Sequence, residues 1–288
     1  MVRDTRTGKE NGKMNLLEHF DFDVNPFADT VNPAFFFQTR HHERALLRTM
    51  YCIEDHRALG LVWGVSGCGK TFVSQMVLRK LNRERFVPVV LLCTPGMTKT
   101  PLLREILFEL GEKKPPYRAH DLLDHIQQQV MQEYGKGRRI VLFVDEAHFL
   151  AANSLHLVRT LTNLETSTEK LLTLILFTEQ GFLRRLTHPS YASLRGRISI
   201  ETELSPLDEE ETEQYIKFRL MVAGGQVDLF TPECFPFIYH RSGGIPREIS
   251  KLADNALLEA YSQGRRIVEP EILEASLASS RTAPHVGL

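Results

Sequence analysis

Apolar positions follow two rhythms along this chain of 288 residues, and the change from one to the other divides it. Up to residue 204, short, mainly apolar runs alternate with stretches of helical spacing. The runs are Leu59-Gly60-Leu61-Val62-Trp63, Val87 to Cys93, Ile140 to Val144, Leu171 to Phe177 and a last one at Ile198 to Ile200. Runs of this length fit strands buried on both faces of a parallel sheet, and the helical stretches between them fit its crossovers. Leu46, Leu47, Met50, Tyr51 and Ile53 mark a helix from about 41 to 56. Leu102 to Leu110, ended by Gly111, marks a second, Leu122 to Met131 a third, and 154–165 a fourth. In the second run Pro88 predicts a strand that begins after it, since proline cannot donate to a ladder.

Past Leu204-Ser205-Pro206 the strand pattern stops. Tyr215, Ile216, Arg219 and Leu220 share one helical face, Thr231-Pro232 reads as a helix cap with a first-turn proline, and Gly243-Gly244-Ile245-Pro246-Arg247 opens a helix running to Ala260. The expected organisation is a tail over 1–13, an α/β domain over 14–204, a small all-helical domain over 205–280 and a tail over 281–288.

The turn after the first strand concentrates the chemistry. Gly64-Val65-Ser66-Gly67-Cys68-Gly69-Lys70-Thr71 leads into a helix opening with Phe72. Glycines at both ends let backbone N–H groups curl around a polyphosphate, and the helix N-terminus behind them adds partial positive charge. Lys70 is placed to reach the outer phosphates and Thr71 to ligate magnesium. Cys68 reads as a small spacer, with a lowered thiol pKa beside Lys70 as the alternative. The third strand delivers Asp145-Glu146-Ala147-His148 at its C-terminal end, where parallel sheets place their ligands. Asp145 suits the magnesium shell and Glu146 the general base, while His148 reads as an ordinary turn histidine, with a contact to the site as the alternative. Thr178 and Glu179, at the end of the fourth strand, are both candidates for a polar group between magnesium and the γ-phosphate. Arg195 and Arg197 precede the last strand; Arg197 is the preferred finger toward a neighbour's γ-phosphate and Arg195 the reserve. Asn25-Pro26-Phe27 and the aromatic cluster Phe35-Phe36-Phe37 could wall a nucleotide base, or the aromatics could pack against the sheet edge. Arg247, behind Pro246, puts positive charge at a helix N-terminus, a placement that an anionic partner would explain.

Composition narrows the setting. The formal net charge is -1, so nucleic acid would need a local basic patch, such as one made by Lys99, Arg104, Lys113, Lys114 and Arg118. The four scattered cysteines form no C-x-x-C pair, which argues against zinc-ribbon or disulfide frameworks and fits a reducing cytoplasm. No apolar run has the length of a membrane span.

Taken together these motifs resemble AAA+ P-loop ATPases across residues 14 to 280. More narrowly, the chain resembles the ExeA/GspA-type ATPases of general secretion, related to the transposition ATPases of the TnsC, TniB and MuB kind. Phe20 to Phe27, Gly64 to Thr71, Val144 to His148, Ser205-Pro206-Leu207, Glu210-Glu211-Thr212, Tyr215-Ile216 and Ser242 to Arg247 carry that resemblance. It implies ATP and Mg2+ as cofactors and a homo-oligomer, ring or filament, whose site is completed by a neighbour's arginine. It also implies a cytoplasmic ATPase assembling a secretion or pilus-type complex, with a DNA-binding regulator of transposition as the alternative. Thr178-Glu179-Gln180-Gly181-Phe182 departs from the Gly-Gln-Pro-Glu-Leu usual in the secretion family, and Ser250 replaces an asparagine usual there. Full-length secretion members continue into a membrane span and a wall-binding domain, so the expectation is of the motor without its anchor.

Overall fold

The computed structural model describes residues 15–30 and 32–281. In chain order its helices are α1 (Leu16–His19), α2 (Arg40–Glu54), α3 (Lys70–Lys80), α4 (Lys99–Glu109), α5 (Ala119–Gly135), α6 (Ala152–Leu161), α7 (Gln180–Leu186), α8 (Ala192–Arg195), α9 (Glu209–Val222), α10 (Cys234–Ser242), α11 (Pro246–Ser262) and α12 (Pro270–Arg281). The strands are β1 (Leu59–Gly64), β2 (Phe86–Leu92), β3 (Arg139–Asp145), β4 (Leu172–Thr178) and β5 (Ile198–Leu204). They form two compact units, residues 31–206 and residues 1–30 with 207–288.

The first unit is a five-stranded, all-parallel sheet in the order β2-β3-β4-β1-β5. Alternate residues of one strand serve opposite faces. Leu142, Val144, Leu174 and Leu176 pack under α4, α5 and α6 through Leu103, Ile106, Ile126 and Val158. Val141, Phe143, Ile175 and Phe177 pack against α2 and α3 through Ala45, Ile53, Val73 and Val77. Both faces are covered, which is why β3 and β4 read as mainly apolar runs. Pro88 lies inside β2 rather than before it. β2 is an edge strand, where a proline with its nitrogen turned outward costs no ladder bond.

The chain passes from β1 to the far edge and returns through β3 and β4 before crossing to β5 on the other side of β1. The strand order therefore reverses beside β1, and the crevice at its C-terminal end is where such sheets bind ligands.

The second unit is helical. Asp208 caps α9 with a reciprocal pair, its Oδ1 accepting from the Glu211 N–H at 2.8 Å and Glu211 Oε2 accepting from the Asp208 N–H at 3.2 Å. On α11 the residues Ile249, Ala253, Ala256, Leu257 and Ala260 are all fully buried. Residues 15–30 belong to this unit, whereas the sequence placed everything from 14 onward with the sheet. The reason is chemical: Phe22 packs so closely on Gly225 that a Cβ there would lie 2.2 Å from its ring, and the Asp23 N–H donates to the Ala223 carbonyl at 2.8 Å. α10 starts at Cys234 with Glu233 as its cap, so Thr231-Pro232 precedes the helix instead of opening it. α12 was not anticipated. The tails expected at 1–13 and 281–288 lie outside the described residues, save Arg281, which closes α12. Among the described residues no helix is long and apolar enough to cross a membrane.

Candidate active site

β1 delivers the phosphate loop at the sheet's C-terminal edge. Gly64 lies against β5, where a Cβ would come within 2.4 Å of the Leu204 carbonyl oxygen. Gly67 and Gly69 have φ of 87° and 90°, the left-handed region that other residues adopt only with strain. Gly69 caps α3 without any side-chain bond, which leaves the first N–H groups of that helix directed at the place a phosphate would take. Lys70 is buried, and its Nζ donates to the carbonyls of Gly64 at 3.0 Å and Val65 at 3.2 Å. The ammonium is thus held inside the loop by carbonyls that phosphate oxygens would replace.

His42 supports this loop, although no motif marks it. Its Nδ1 faces the Thr39 N–H at 3.4 Å and the Thr39 hydroxyl at 2.8 Å, while Nε2 lies 3.2 Å from the Cys68 carbonyl. Because a backbone N–H can only donate, Nδ1 accepts and Nε2 carries the proton toward Cys68. Burial lowers the His42 pKa first, the Cys68 carbonyl opposes it, and His41 adds a smaller lowering. A Cβ on Gly69 would sit 2.8 Å from Nε2, so the glycine is needed for this contact as well as for its φ. Phe36 stands edge-on to His42 at 5.2 Å and stacks on Phe72 at 5.4 Å. Cys68 is buried and its thiol is pushed up by that burial more than Lys70 draws it down. The lowered pKa weighed from the sequence is therefore corrected, and the spacer role stands.

At the end of β3 the Thr71 hydroxyl donates to Asp145 Oδ2 at 3.1 Å, and Asp145 Oδ1 accepts from the Glu146 N–H at 2.9 Å. Two hard oxygen donors side by side below the phosphate loop are the set a magnesium ion takes. Glu146 itself has φ of 54°, a strained backbone for a residue with a Cβ. His148 is not an ordinary turn histidine: its Nδ1 lies 3.3 Å from Glu146 Oε2. The Glu179 carboxylate joins them, with donor atoms of the three residues all within 4.8 Å of one another. Thr178 is fully buried beside Trp63 of β1, and its hydroxyl has no hydrogen-bond partner. Cys93, whose N–H donates to the Asp145 carbonyl at 3.0 Å, has its thiol pushed up to about 12 by burial and then by Asp145 and Glu146.

The other expected residues stand elsewhere. Arg195 ends α8 and is exposed; Arg197 is half-buried at the start of β5. Pairing of Leu59 with Ile198 and of Gly64 with Leu204 puts Arg197 a full strand away from its own phosphate loop, about 17 Å at ~3.3 Å per residue. Arg197 borders a groove of about 920 Å³ with Arg57, Glu165, Glu169, Lys170 and Ser199, and its buried Nε makes no hydrogen bond. Pro246 and Arg247 open α11 in the helical unit, behind Gly244, whose absent Cβ would lie 2.0 Å from the Leu207 carbonyl oxygen. Asn25, Pro26 and Phe27 are also in that unit. The Asn25 amide donates to Asp254 at 3.1 Å, the Pro26 carbonyl accepts from Arg219 Nε at 2.5 Å, and Phe27 is buried against Phe230.

A phosphate loop, a strand-end Asp-Glu pair and a parallel sheet with this strand order define a P-loop ATPase. Residues 53–186 match the AAA domain family model. Its curated relative is General secretion pathway protein A of Aeromonas hydrophila, 33% identical over 260 residues, which make up 88% of this chain and 47% of that one. The chain thus spans about half the length of the relative it matches. Similar solved structures include the Aeropyrum pernix ORC2 protein in its ADPNP-ADP complexes, at 14% identity and TM-score 0.66, covering 91% of this chain and 72% of that one. Drosophila ORC bound to DNA is similar at 16% identity and TM-score 0.72, with 98% and 70% covered. The Thermotoga maritima RuvB branch migration motor is similar at 17% and 0.53, with 85% and 70% covered.

Proposed function

We propose that this chain is a cytoplasmic, magnesium-dependent ATPase that works as an oligomer to assemble a secretion or pilus-type complex. The observation that carries the catalytic part is the 3.1 Å contact of Thr71 with Asp145 beside the buried ammonium of Lys70. Lys70 exchanges its loop carbonyls for phosphate oxygens, and the loop N–H groups hold the rest of the polyphosphate. Thr71 and Asp145 would hold magnesium, which supplies charge neutralisation on the phosphates when bound. Glu146 orients the attacking water and takes its proton on the carboxylate. Glu179, whose carboxylate reaches the Glu146 cluster, is the better placed of the two strand-end candidates for sensing the γ-phosphate; Thr178 is enclosed. Arg197 cannot serve its own loop from a strand length away, which supports a finger acting on a neighbouring copy. Arg247 would read phosphates from the helical lid, and Asn25 to Phe27 would border the base. Similarity to General secretion pathway protein A supports the secretion role. Magnesium-dependent ATPase assays of the purified chain across a concentration series test the scheme, because a shared site requires turnover per subunit to rise with concentration.

One observation favours DNA as a second partner. On α4 and the connection from it to α5, Lys99, Lys113, Lys114 and Arg118 have no ion-pair partner among the described residues, and Arg104 lies over the 90% exposed Tyr117 ring at 5.5 Å. Cations with an exposed aromatic suit a nucleic-acid backbone. ATPase stimulation by duplex DNA that fades steeply with salt would support this reading, and indifference to DNA would favour a protein partner.

A further inference from the structure

We infer that Glu146, His148 and Glu179 form a binding site for a borderline divalent ion, zinc in the first instance, laid over the general base so that the bound ion arrests hydrolysis. The three side chains come from two strand ends, Glu146 and His148 after β3 and Glu179 after β4, and their donor atoms converge within 4.8 Å. A tetrahedral ion with bonds of about 2.0–2.1 Å keeps its donors about 3.4 Å apart. The 3.3 Å between His148 Nδ1 and Glu146 Oε2 is already such an edge, and Glu179 has to close by about 1.4 Å at most.

A second observation is independent of the spacing. His148 Nδ1 is buried yet makes no hydrogen bond, despite a carboxylate oxygen 3.3 Å away. A buried ring nitrogen beside a carboxylate and without a hydrogen bond has a vacant polar contact, which a metal ion shared with that carboxylate would supply. The ring is braced by Phe149 at 4.2 Å, and Arg185 holds the turn beneath it by donating to the carbonyls of Leu150 at 2.6 Å and His148 at 3.4 Å. One imidazole with two carboxylates suits zinc-like ions, whereas magnesium favours the all-oxygen pair of Thr71 and Asp145. The two sites therefore share no ligand. A Glu146 carboxylate committed to zinc cannot take a proton from water, while the phosphate loop is untouched. The inhibitory consequence rests on Glu146 being the base; the site itself does not.

The test is a titration of the metal-free chain of 288 residues with zinc chloride, without nucleotide, followed by calorimetry. Wild type should bind one zinc with Kd tighter than about 10 µM, and His148→Ala and Glu179→Gln should each weaken it at least tenfold. Undiminished affinity of an ATP analogue for His148→Ala shows that the variant is folded. Cobalt substitution of wild type gives a readout free of variants, since an intense tetrahedral visible spectrum supports the site and a weak octahedral one overturns it. No zinc bound at that affinity, or equal binding by all variants, overturns the proposal. Saturating zinc should lower magnesium-dependent turnover at least tenfold without changing analogue affinity, and unchanged turnover with zinc bound overturns the inhibitory claim. If Glu146→Gln retains turnover, the base assignment fails, while the zinc affinity of that variant still decides the site.

Discussion

The two ends of the parallel sheet differ in how completely their polar groups are partnered. At the C-terminal end the charged groups of the phosphate loop are bonded, Lys70 to the Gly64 and Val65 carbonyls and Asp145 to Thr71 and the Glu146 N–H, although the Thr178 hydroxyl and His148 Nδ1 there make no hydrogen bond. At the N-terminal end Arg57 pairs with Asp55, Lys170 with Glu165 and Arg139 with Glu169, while the Arg197 Nε is buried without a hydrogen bond at the rim of a wide groove. One end is built to receive a ligand unaided. The other holds a cation whose Nε lacks a hydrogen bond, although Glu165 is near enough to feel its charge.

The comparison breaks first at Lys70. Hydrogen bonds to a charged partner contribute ~1.5–3 kcal/mol each, so Lys70→Ala should cost ATP affinity about 100-fold or more, measured by equilibrium binding. Retained affinity would dismiss the loop assignment. Glu146→Gln should keep binding while slowing turnover by about two orders of magnitude or more, read in steady-state hydrolysis. Mixing Arg197→Ala with Glu146→Gln subunits sharpens the contrast between the two ends. A finger acting in trans restores part of the activity at intermediate ratios, and a flat response at every ratio counts against shared sites. The smallest effect is at His42. Its folded pKa lies below the unfolded value of 6.5, so the unfolded chain binds more protons and stability falls as pH drops through that value. His42→Asn should flatten the fall in melting temperature between pH 7 and 5, though His56, also lowered by burial, keeps part of the slope.

Legibility in the sequence followed contiguity. Eight successive residues carry the phosphate loop, and Asp145 and Glu146 end an apolar run, so both stand out as candidates in the chain alone. The contacts of Glu179 with Glu146, and of His42 with Cys68, join segments that only the strand order brings together. Phe27, read as a wall for a base or as packing, is buried against Phe230, because an apolar ring carries no sign of which surface it meets. Pro88 misled for a related reason: its cost depends on whether the strand is at an edge, a property of the whole sheet.

β5 links the sheet's two ends mechanically. It begins next to Arg197 and finishes at Leu204, pressed on Gly64 so tightly that no methyl group would fit between them. An extended strand is stiff along its axis, so a shove on its first residue arrives at its last with little loss. A neighbour gripping that arginine would tug on the mouth of the fuel pocket, and the strand would act as a pushrod from one subunit's border to its own phosphate cradle.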